Sequence, residues 1–169
     1  LQPVICVVTN IDRDHLEAYD HDYERLKQAF SNFISRIPFY GTAVLCLDDP
    51  GVKEILPNLS RHIITYGFDK EAQIRAGVPK RTDGKMCFTV ERNFGSKLYP
   101  PLEIRLNCLG NHNVLNSLAA IGLATELGIG DEVICRALES FQGVGRRLEA
   151  YGSVTIGKKT VTLYDDYGH

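Results

Sequence analysis

The first 67 residues alternate between short apolar runs and segments with helical spacing. The apolar runs predict strands at residues 4–8, 43–47 and 61–66. The segments between them predict a helix that begins at Asp22 and ends before Pro38, and a shorter helix over residues 52–59. Because strands that alternate with helices form parallel sheets, the pattern predicts an α/β fold with crossover helices. The unbroken apolar character of residues 4–8 further predicts that both faces of the first strand are buried.

The pattern changes after Gly67, where short alternating segments separated by turn-forming clusters predict an antiparallel meander. These segments are residues 73–76, 85–91 and 102–107. Two further helices are predicted over residues 111–127 and 131–141, the second with Asp131 as its N-cap. A last pair of strands is predicted at residues 153–156 and 160–164.

Composition and charge narrow the class of protein. The 169 residues are 44% hydrophobic and 24% charged with a net charge of −2, which gives no basic field for nucleic acid or for an anionic membrane surface. No apolar run approaches the roughly 20 residues that a membrane-spanning helix needs. The five cysteines are spread singly, which is typical of free thiols in a reducing compartment, so a cytoplasmic setting is predicted. The oligomeric state is left open.

Polar side chains gather in the sequence "TNIDRDHLEAYD", directly after the first predicted strand. In α/β sheets, ligands bind beyond the carboxyl ends of the strands. Asp12, Asp14 or His15 could each supply a ligand to Mg²⁺, which retains several waters and needs only one or two protein groups. The same residues also fit a loop that caps the next helix, and this alternative is equally supported by composition.

The segment "LGNHNVLNSLAAIGLA" begins with polar residues at the start of a predicted helix, where backbone N–H groups are free. Asn116 lies one turn beyond His112 and Asn113, so these side chains share one region of the helix surface. An Asn amide can both donate to and accept from the edge of adenine. A capping Asn and a surface Asn would give the same pattern.

Two further segments carry groups suited to a nucleotide. In "GVGRR", residues 143–147, two glycines free the backbone and two arginines offer planar forks for phosphate. In "LYDDYGH", residues 163–169, carboxylates follow a predicted strand. A flexible linker and a solvated loop are the alternatives for these two segments.

Taken together and in order, six stretches resemble the Mur ligase family: "VVTNIDRDHLEAY", "FYGTAVLCLDDP", "ITYGF", "GNHNVLNSLAAIGLATELGI", "FQGVGRRLE" and "DDYGH". The resemblance implies an α/β P-loop-type central domain, incomplete here, followed by the first strands of a Rossmann-like domain. Residues 1–145 are then expected to be the later part of the central ATP-binding domain, and residues 146–169 the start of the C-terminal domain. The family's phosphate-binding loop, of the type Gly-Thr-His-Gly-Lys-Thr, is not found in the sequence, so the chain alone is expected to be inactive.

The resemblance also implies ATP and Mg²⁺ as cofactors and assigns roles to individual residues. His15 matches the magnesium ligand, His112, Asn113 and Asn116 belong to the nucleotide-binding helix, and Arg147, Asp166 and His169 are expected to act near the ATP phosphates and the substrates. Some members carry a carboxylated lysine about fifteen residues after the histidine. Phe30 occupies that position here, so no such modification is expected.

Within the family, these stretches are most similar to the members that join L-alanine to UDP-N-acetylmuramate in peptidoglycan precursor synthesis. A ligase that recycles murein peptides onto the same sugar is the nearest alternative. A nucleotide-binding module without catalytic activity and a metal-dependent phosphohydrolase built on Asp12, Asp14 and His15 are two others. The phosphohydrolase hypothesis leaves the Asn-rich helix unexplained.

Overall fold

The computed structural model describes residues 2–14, 16–94, 97–145 and 149–167. Its strands are β1 (Ile5–Val8), β2 (Thr42–Cys46), β3 (His62–Gly67), β4 (Ile74–Ala76), β5 (Lys80–Thr82), β6 (Lys85–Phe94), β7 (Lys97–Leu98), β8 (Leu102–Leu106), β9 (Glu149–Ile156) and β10 (Lys159–Asp165). Its α-helices are α1 (Tyr23–Ser35), α2 (Pro50–Ile55), α3 (Asn111–Glu126) and α4 (Asp131–Ser140). Short 3₁₀ turns lie at Leu16–Tyr19 and Leu56–Asn58.

Eight strands form one mixed sheet in the order β1-β2-β3-β4-β6-β5, with β7 and β8 also paired to β6. The strands β1 to β4 are parallel to one another, and β6 runs antiparallel to β4, β5, β7 and β8. The predicted combination of a parallel sheet with an antiparallel meander is therefore confirmed. The strand predicted at residues 73–76 is present as β4, and it pairs antiparallel with β6 as a meander strand does. What the prediction missed is that β4 also pairs in parallel with β3 and so joins the two parts of the sheet.

Two apolar clusters lie within this fold. One contains residues of β1, β2, α1 and α2, with Ile34 and Val52 fully buried. The other joins β2, β3, β4, β6 and β8 to α3 and α4, with Val44, Ile64 and Leu118 fully buried. Side chains of β2 enter both clusters because they alternate across the strand: Ala43 and Leu45 belong to the first cluster, Val44 and Cys46 to the second.

The strand β1 is buried on one face only, contrary to the sequence prediction. Cys6 and Val8 are buried, whereas Ile5 and Val7 are 38% and 43% exposed. The reason is that β1 is the last strand at one end of the described sheet, and the helix α3 on that face packs on β2, β3 and β4. An apolar sheet edge of this kind favours pairing with another strand.

A side-chain cap marks the start of α1 but not the start of α4. The Asp22 carboxylate accepts hydrogen bonds from the backbone N–H groups of Glu24, at 2.8 Å, and Arg25, at 3.4 Å, so the predicted start of α1 is confirmed. The prediction for α4 was wrong. Its N-cap is Gly130, and Asp131 is the first helical residue, with its carboxylate turned to Arg92.

The strands β9 and β10 form a separate two-stranded antiparallel sheet, which confirms the predicted strand pair. Val154 lies opposite Val161, and Ser153 lies opposite Thr162, so the two faces of the hairpin differ in polarity. Arg146 and Leu148 lie outside the described residues, and the domain boundary at 145/146 stays a prediction. Among the described residues, no helix is both long and apolar enough to cross a membrane.

Candidate functional site

Two adjacent carboxylates at the end of β2 hold the loops that follow both neighbouring strands. Asp49 accepts a hydrogen bond from the backbone N–H of Ile11, in the loop after β1, at 3.2 Å. Asp48 accepts hydrogen bonds from the N–H groups of Phe68, at 2.8 Å, and Asp69, at 2.9 Å, in the loop after β3. Three strand ends are therefore connected at the carboxyl edge of the sheet, where α/β proteins bind their ligands.

The loop after β1 is fixed at Ile11. Its side chain is 3% exposed, and its carbonyl oxygen accepts a hydrogen bond from the Tyr23 hydroxyl at 2.7 Å. The Asp49 oxygen that bonds to Ile11 also accepts from Val52 N–H at 2.8 Å, which caps α2. The backbone of this loop is thus tied to the first turns of both α1 and α2.

The polar side chains of the same loop face outward. Asp12 and Asp14 are exposed, and the Asp12 carboxylate accepts a hydrogen bond from the Asp14 N–H at 3.3 Å. Their oxygens are of the kind that Mg²⁺ prefers, but the described residues contain no group of three or more His, Cys, Asp or Glu side chains that could hold a metal. These oxygens fit a partial site completed by water or by other ligands. His15, the predicted metal ligand, lies outside the described residues.

The loop after β3 is held equally firmly by Asp48. A Cβ atom at Gly67 would overlap the Asp48 carboxylate, so glycine is required for this close approach. Lys53 forms an ion pair with Asp69 at 2.5 Å, and the hydrogen bond from Lys53 lowers the pKa of the Asp69 carboxyl. The result is a fixed position for Phe68 at the end of the strand.

Phe68 lines an open cavity of about 500 Å³ together with the end of β4, the loop that follows it and the start of α3. The lining residues are Phe68, Arg75, Ala76, Gly77, Val78, Pro79 and Asn111. Its volume is in the range of small-molecule sites. Sequence reasoning missed this cavity, although Phe68 follows a predicted strand directly and that position could have indicated it.

The first turn of α3 presents the predicted nucleotide-binding residues in different ways. His112 is exposed, and its ring lies back over Gly110, whose φ of +99° favours glycine. The side-chain amide of Asn113 donates to the carbonyl of Leu109, just before the helix, at 2.8 Å. The N-cap of α3 is Gly110, which makes no side-chain cap hydrogen bond, so the alternative of a capping Asn does not describe Asn113. Asn116 is exposed one turn further along the helix and makes no such contact with the described backbone before it, so it is the better placed to contact a ligand.

The residues predicted near the second domain are only partly described. Gly143 has a φ of +90° and Val144 is exposed, in irregular backbone after α4. Asp166 is exposed and directly follows β10. Arg147 and His169 lie outside the described residues, so their roles near the ATP phosphates and the substrates stay predictions.

Comparison with known proteins places this arrangement in a family. Residues 1–124 match the Mur ligase middle domain. The chain belongs to the Mur ligase family. It is 56% identical over 171 aligned positions to the UDP-N-acetylmuramate–L-alanine ligase of Cupriavidus necator, covering 100% of the chain and 36% of that ligase. The chain therefore spans about a third of the length of such relatives.

Solved Mur ligases have the same fold. The UDP-N-acetylmuramate–alanine ligase of Thermotoga maritima matches with a TM-score of 0.78 and 28% identity, covering 100% of the chain and 36% of that structure. The MurF ligase of Thermotoga maritima, solved in complex with ADP, matches with a TM-score of 0.71 and 19% identity, covering 88% of the chain and 33% of that structure. At that identity the second match supports the fold alone.

Proposed function

We propose that the chain is part of an ATP-dependent ligase that joins L-alanine to UDP-N-acetylmuramate in peptidoglycan precursor synthesis. The observation that carries the proposal is the 56% identity over the whole chain to a ligase of that name. The loops fixed at the carboxyl edge of the sheet agree with it, because phosphoryl transfer depends mainly on positioning and on charge neutralisation. A cytoplasmic setting follows from the proposed substrates and the free cysteines.

The chemistry requires activation of a carboxylate, which does not react with an amine directly. The carboxylate of UDP-N-acetylmuramate takes the terminal phosphoryl group of ATP, and ADP leaves. The amine of L-alanine then attacks the carbonyl carbon of the acyl phosphate. A C–N bond forms, the C–O bond to the phosphate breaks, inorganic phosphate departs, and the amine releases a proton to the solvent. In this proposal the chain holds the nucleotide and the metal, while the amino-acid pocket is built from other parts of the ligase.

The metal would be Mg²⁺, bound by His15 and supported by the oxygens of Asp12 or Asp14. When bound, it would neutralise the charge on the phosphoryl group that is being transferred. The fixed backbone at Ile11 supports this assignment, since a loop that supplies metal ligands has to be held in place. His15 itself is assigned from the family resemblance.

The nucleotide base would lie against the exposed side of the first turns of α3, near His112 and Asn116. The exposure of Asn116 supports its role as the residue that reads adenine. Arg147, Asp166 and His169 would come to the phosphates and substrates when the second domain closes, which would also exclude water from the acyl phosphate.

Replacing Asn116 tests the base-binding role. In the full-length ligase, Asn116→Ala is expected to raise the KM for ATP and to reduce discrimination against GTP. The loss of a pair of hydrogen bonds to the base edge corresponds to about 1–3 kcal/mol, or roughly 5- to 150-fold in relative kcat/KM for the two nucleotides. Steady-state kinetics with ATP and GTP measure the effect.

Asn113→Ala is the matched comparison for this prediction. It removes an amide that donates to the carbonyl of Leu109, just before α3, so it is expected to lower stability by about 1 kcal/mol and to leave the ATP-to-GTP ratio nearly unchanged. If Asn113→Ala relaxes nucleotide preference and Asn116→Ala does not, the two roles are reversed.

The chain by itself is expected to bind ATP weakly and to ligate nothing. The lysine and backbone amides of a phosphate-binding loop normally provide most of the affinity for a triphosphate, and the sequence contains no such loop. Calorimetric titration with ATP and Mg²⁺ measures binding, and phosphate release with UDP-N-acetylmuramate and L-alanine measures activity. A micromolar dissociation constant for the chain alone would contradict this expectation.

The amine offered in the same assay separates the two ligase hypotheses. A full-length protein that accepts L-alanine and rejects a murein tripeptide is the proposed enzyme, and the reverse preference identifies the recycling ligase. Phosphate release from a phosphoester without ATP would instead support the phosphohydrolase.

A further inference from the structure

We propose that Tyr23 and Asp49 are positioning residues that fix the loop after β1 for metal binding. The inference rests on the proposed function, because it assigns the metal to this loop. Neither residue was selected from the sequence, and neither offers itself as a ligand: Tyr23 donates its hydroxyl hydrogen to a backbone carbonyl, and Asp49 accepts from backbone amides.

Both residues act on one backbone position, Ile11. The N–H of Ile11 donates to Asp49 at 3.2 Å, and the C=O of Ile11 accepts from Tyr23 at 2.7 Å. The Ile11 side chain is 3% exposed in the apolar cluster below. Three independent anchors therefore meet at the residue that immediately precedes Asp12.

The Tyr23 hydroxyl has little freedom to move. A Cβ atom at Gly51 would overlap it, so the start of α2 closes over the hydroxyl. The guanidinium of Arg13 and the ammonium of Lys27 lie 5.0 and 5.1 Å from the centre of its ring. Burial is the largest effect on the Tyr23 hydroxyl and raises its pKa, so it remains a donor at neutral pH.

The hydrogen bonds to Ile11 position the loop and are separate from the bonds that cap the two helices. The helix α1 is already capped by Asp22, and α2 is capped through the bond from Val52 to Asp49. The bonds to Ile11 add nothing to either helix and instead connect both helices to the loop. Their consequence is a fixed backbone beneath the exposed carboxylates of Asp12 and Asp14, as expected for groups that orient metal ligands.

Tyr23→Phe in the full-length ligase is the sharpest test, because it removes one oxygen and keeps the ring. We expect about tenfold weaker binding of Mn²⁺, used as the probe for the metal and followed by electron paramagnetic resonance. We also expect faster amide hydrogen exchange at residues 12–14. Gly51→Ala displaces the same hydroxyl by crowding and is expected to weaken Mn²⁺ binding in the same direction.

Tyr19→Phe is the control, since it removes a hydroxyl from the same apolar cluster and leaves the bond from Tyr23 to Ile11 intact. It is expected to leave Mn²⁺ affinity unchanged. If the wild-type protein binds Mn²⁺ and ligates L-alanine but Tyr23→Phe and Gly51→Ala bind Mn²⁺ as tightly, the positioning inference is overturned and the proposed function stands. A wild-type protein that neither binds Mn²⁺ nor releases phosphate with both substrates overturns both.

Discussion

Full-length ligase carrying His15→Ala is expected to lose Mg²⁺-dependent turnover by about 100-fold or more while keeping its fold. Even groups that only orient metal ligands cost 10- to 100-fold when they are removed, and a ligand itself contributes more. In the proposed mechanism a metal held by His15 would neutralise charge that develops on the phosphoryl group, so the loss is expected mainly in kcat rather than in the KM for L-alanine. Steady-state rates over a series of Mg²⁺ concentrations, with circular dichroism for the fold, measure both effects.

His21→Asn is the matched control, because it removes a second imidazole from the same region of the chain. His21 is exposed and has a φ of +58°, a conformation that Asn tolerates better than Ala does. This variant is expected to retain full turnover. Unchanged turnover of His15→Ala at limiting Mg²⁺ would remove His15 from the metal site and leave Asp12 and Asp14 as the candidates.

Local rules were sufficient to predict most of the elements. The helix α1 follows from the apolar spacing of residues 26–37 and from the Asp22 cap, both of which act within the segment itself. The strand β2 follows from an unbroken apolar run, and all five of its residues are buried because helices pack on both faces of the sheet at this strand. In these cases the sequence signal and the tertiary environment agree.

The errors arose where a distant part of the chain decides the outcome. The apolar run of β1 does not by itself reveal which strand will be last in the sheet, so it predicted burial for Ile5 and Val7, which are exposed. Asp131 has the right residue type and place for an N-cap, but its carboxylate binds Arg92, 39 residues earlier in the chain. Rules based on neighbouring residues do not predict that the Asp131 carboxylate binds Arg92 instead of capping the helix.

The candidate site also combines features that local sequence predicts with features that depend on distant parts of the chain. Position at a strand end marked the loop after β1 as a candidate site, and position at a helix start marked the first turn of α3. The roles of Asp48 and Asp49 were missed, since "DDP" looks like an ordinary turn and helix cap. Their bonds to Ile11 and Phe68 depend on the order of strands β1, β2 and β3, which becomes known only with the sheet.

The second large effect is expected from Asp131→Ala, which leaves a buried guanidinium without its counter-ion. The side chain of Arg92 is 0% exposed, and its two terminal nitrogens donate to the Asp131 carboxylate at 2.7 and 2.8 Å. Removing one partner of a buried pair costs about 3–5 kcal/mol, and the 39% exposure of Asp131 places the expected loss near the lower limit, about 3 kcal/mol. Native-state amide exchange in β6 and α4 measures this local free energy of unfolding in the full-length protein.

The double variant Arg92→Met/Asp131→Ala distinguishes two effects of Asp131→Ala: the burial of an unpaired guanidinium, and the loss of the hydrogen bonds between Arg92 and Asp131. It removes the guanidinium as well as the carboxylate, so it is expected to be more stable than Asp131→Ala alone.

The stability that the Asp131 carboxyl contributes is expected to depend on pH. The hydrogen bond from Arg92 lowers the pKa of this carboxyl, so its contribution to stability is fully present above the unfolded pKa of about 4. That contribution is lost as the pH falls through the lower folded value, and the double variant should lack this acid-dependent loss. If Asp131→Ala costs less than about 1 kcal/mol at pH 7, or costs no more than the double variant, the guanidinium is stabilised by Thr125 and the Pro100 carbonyl without its carboxylate.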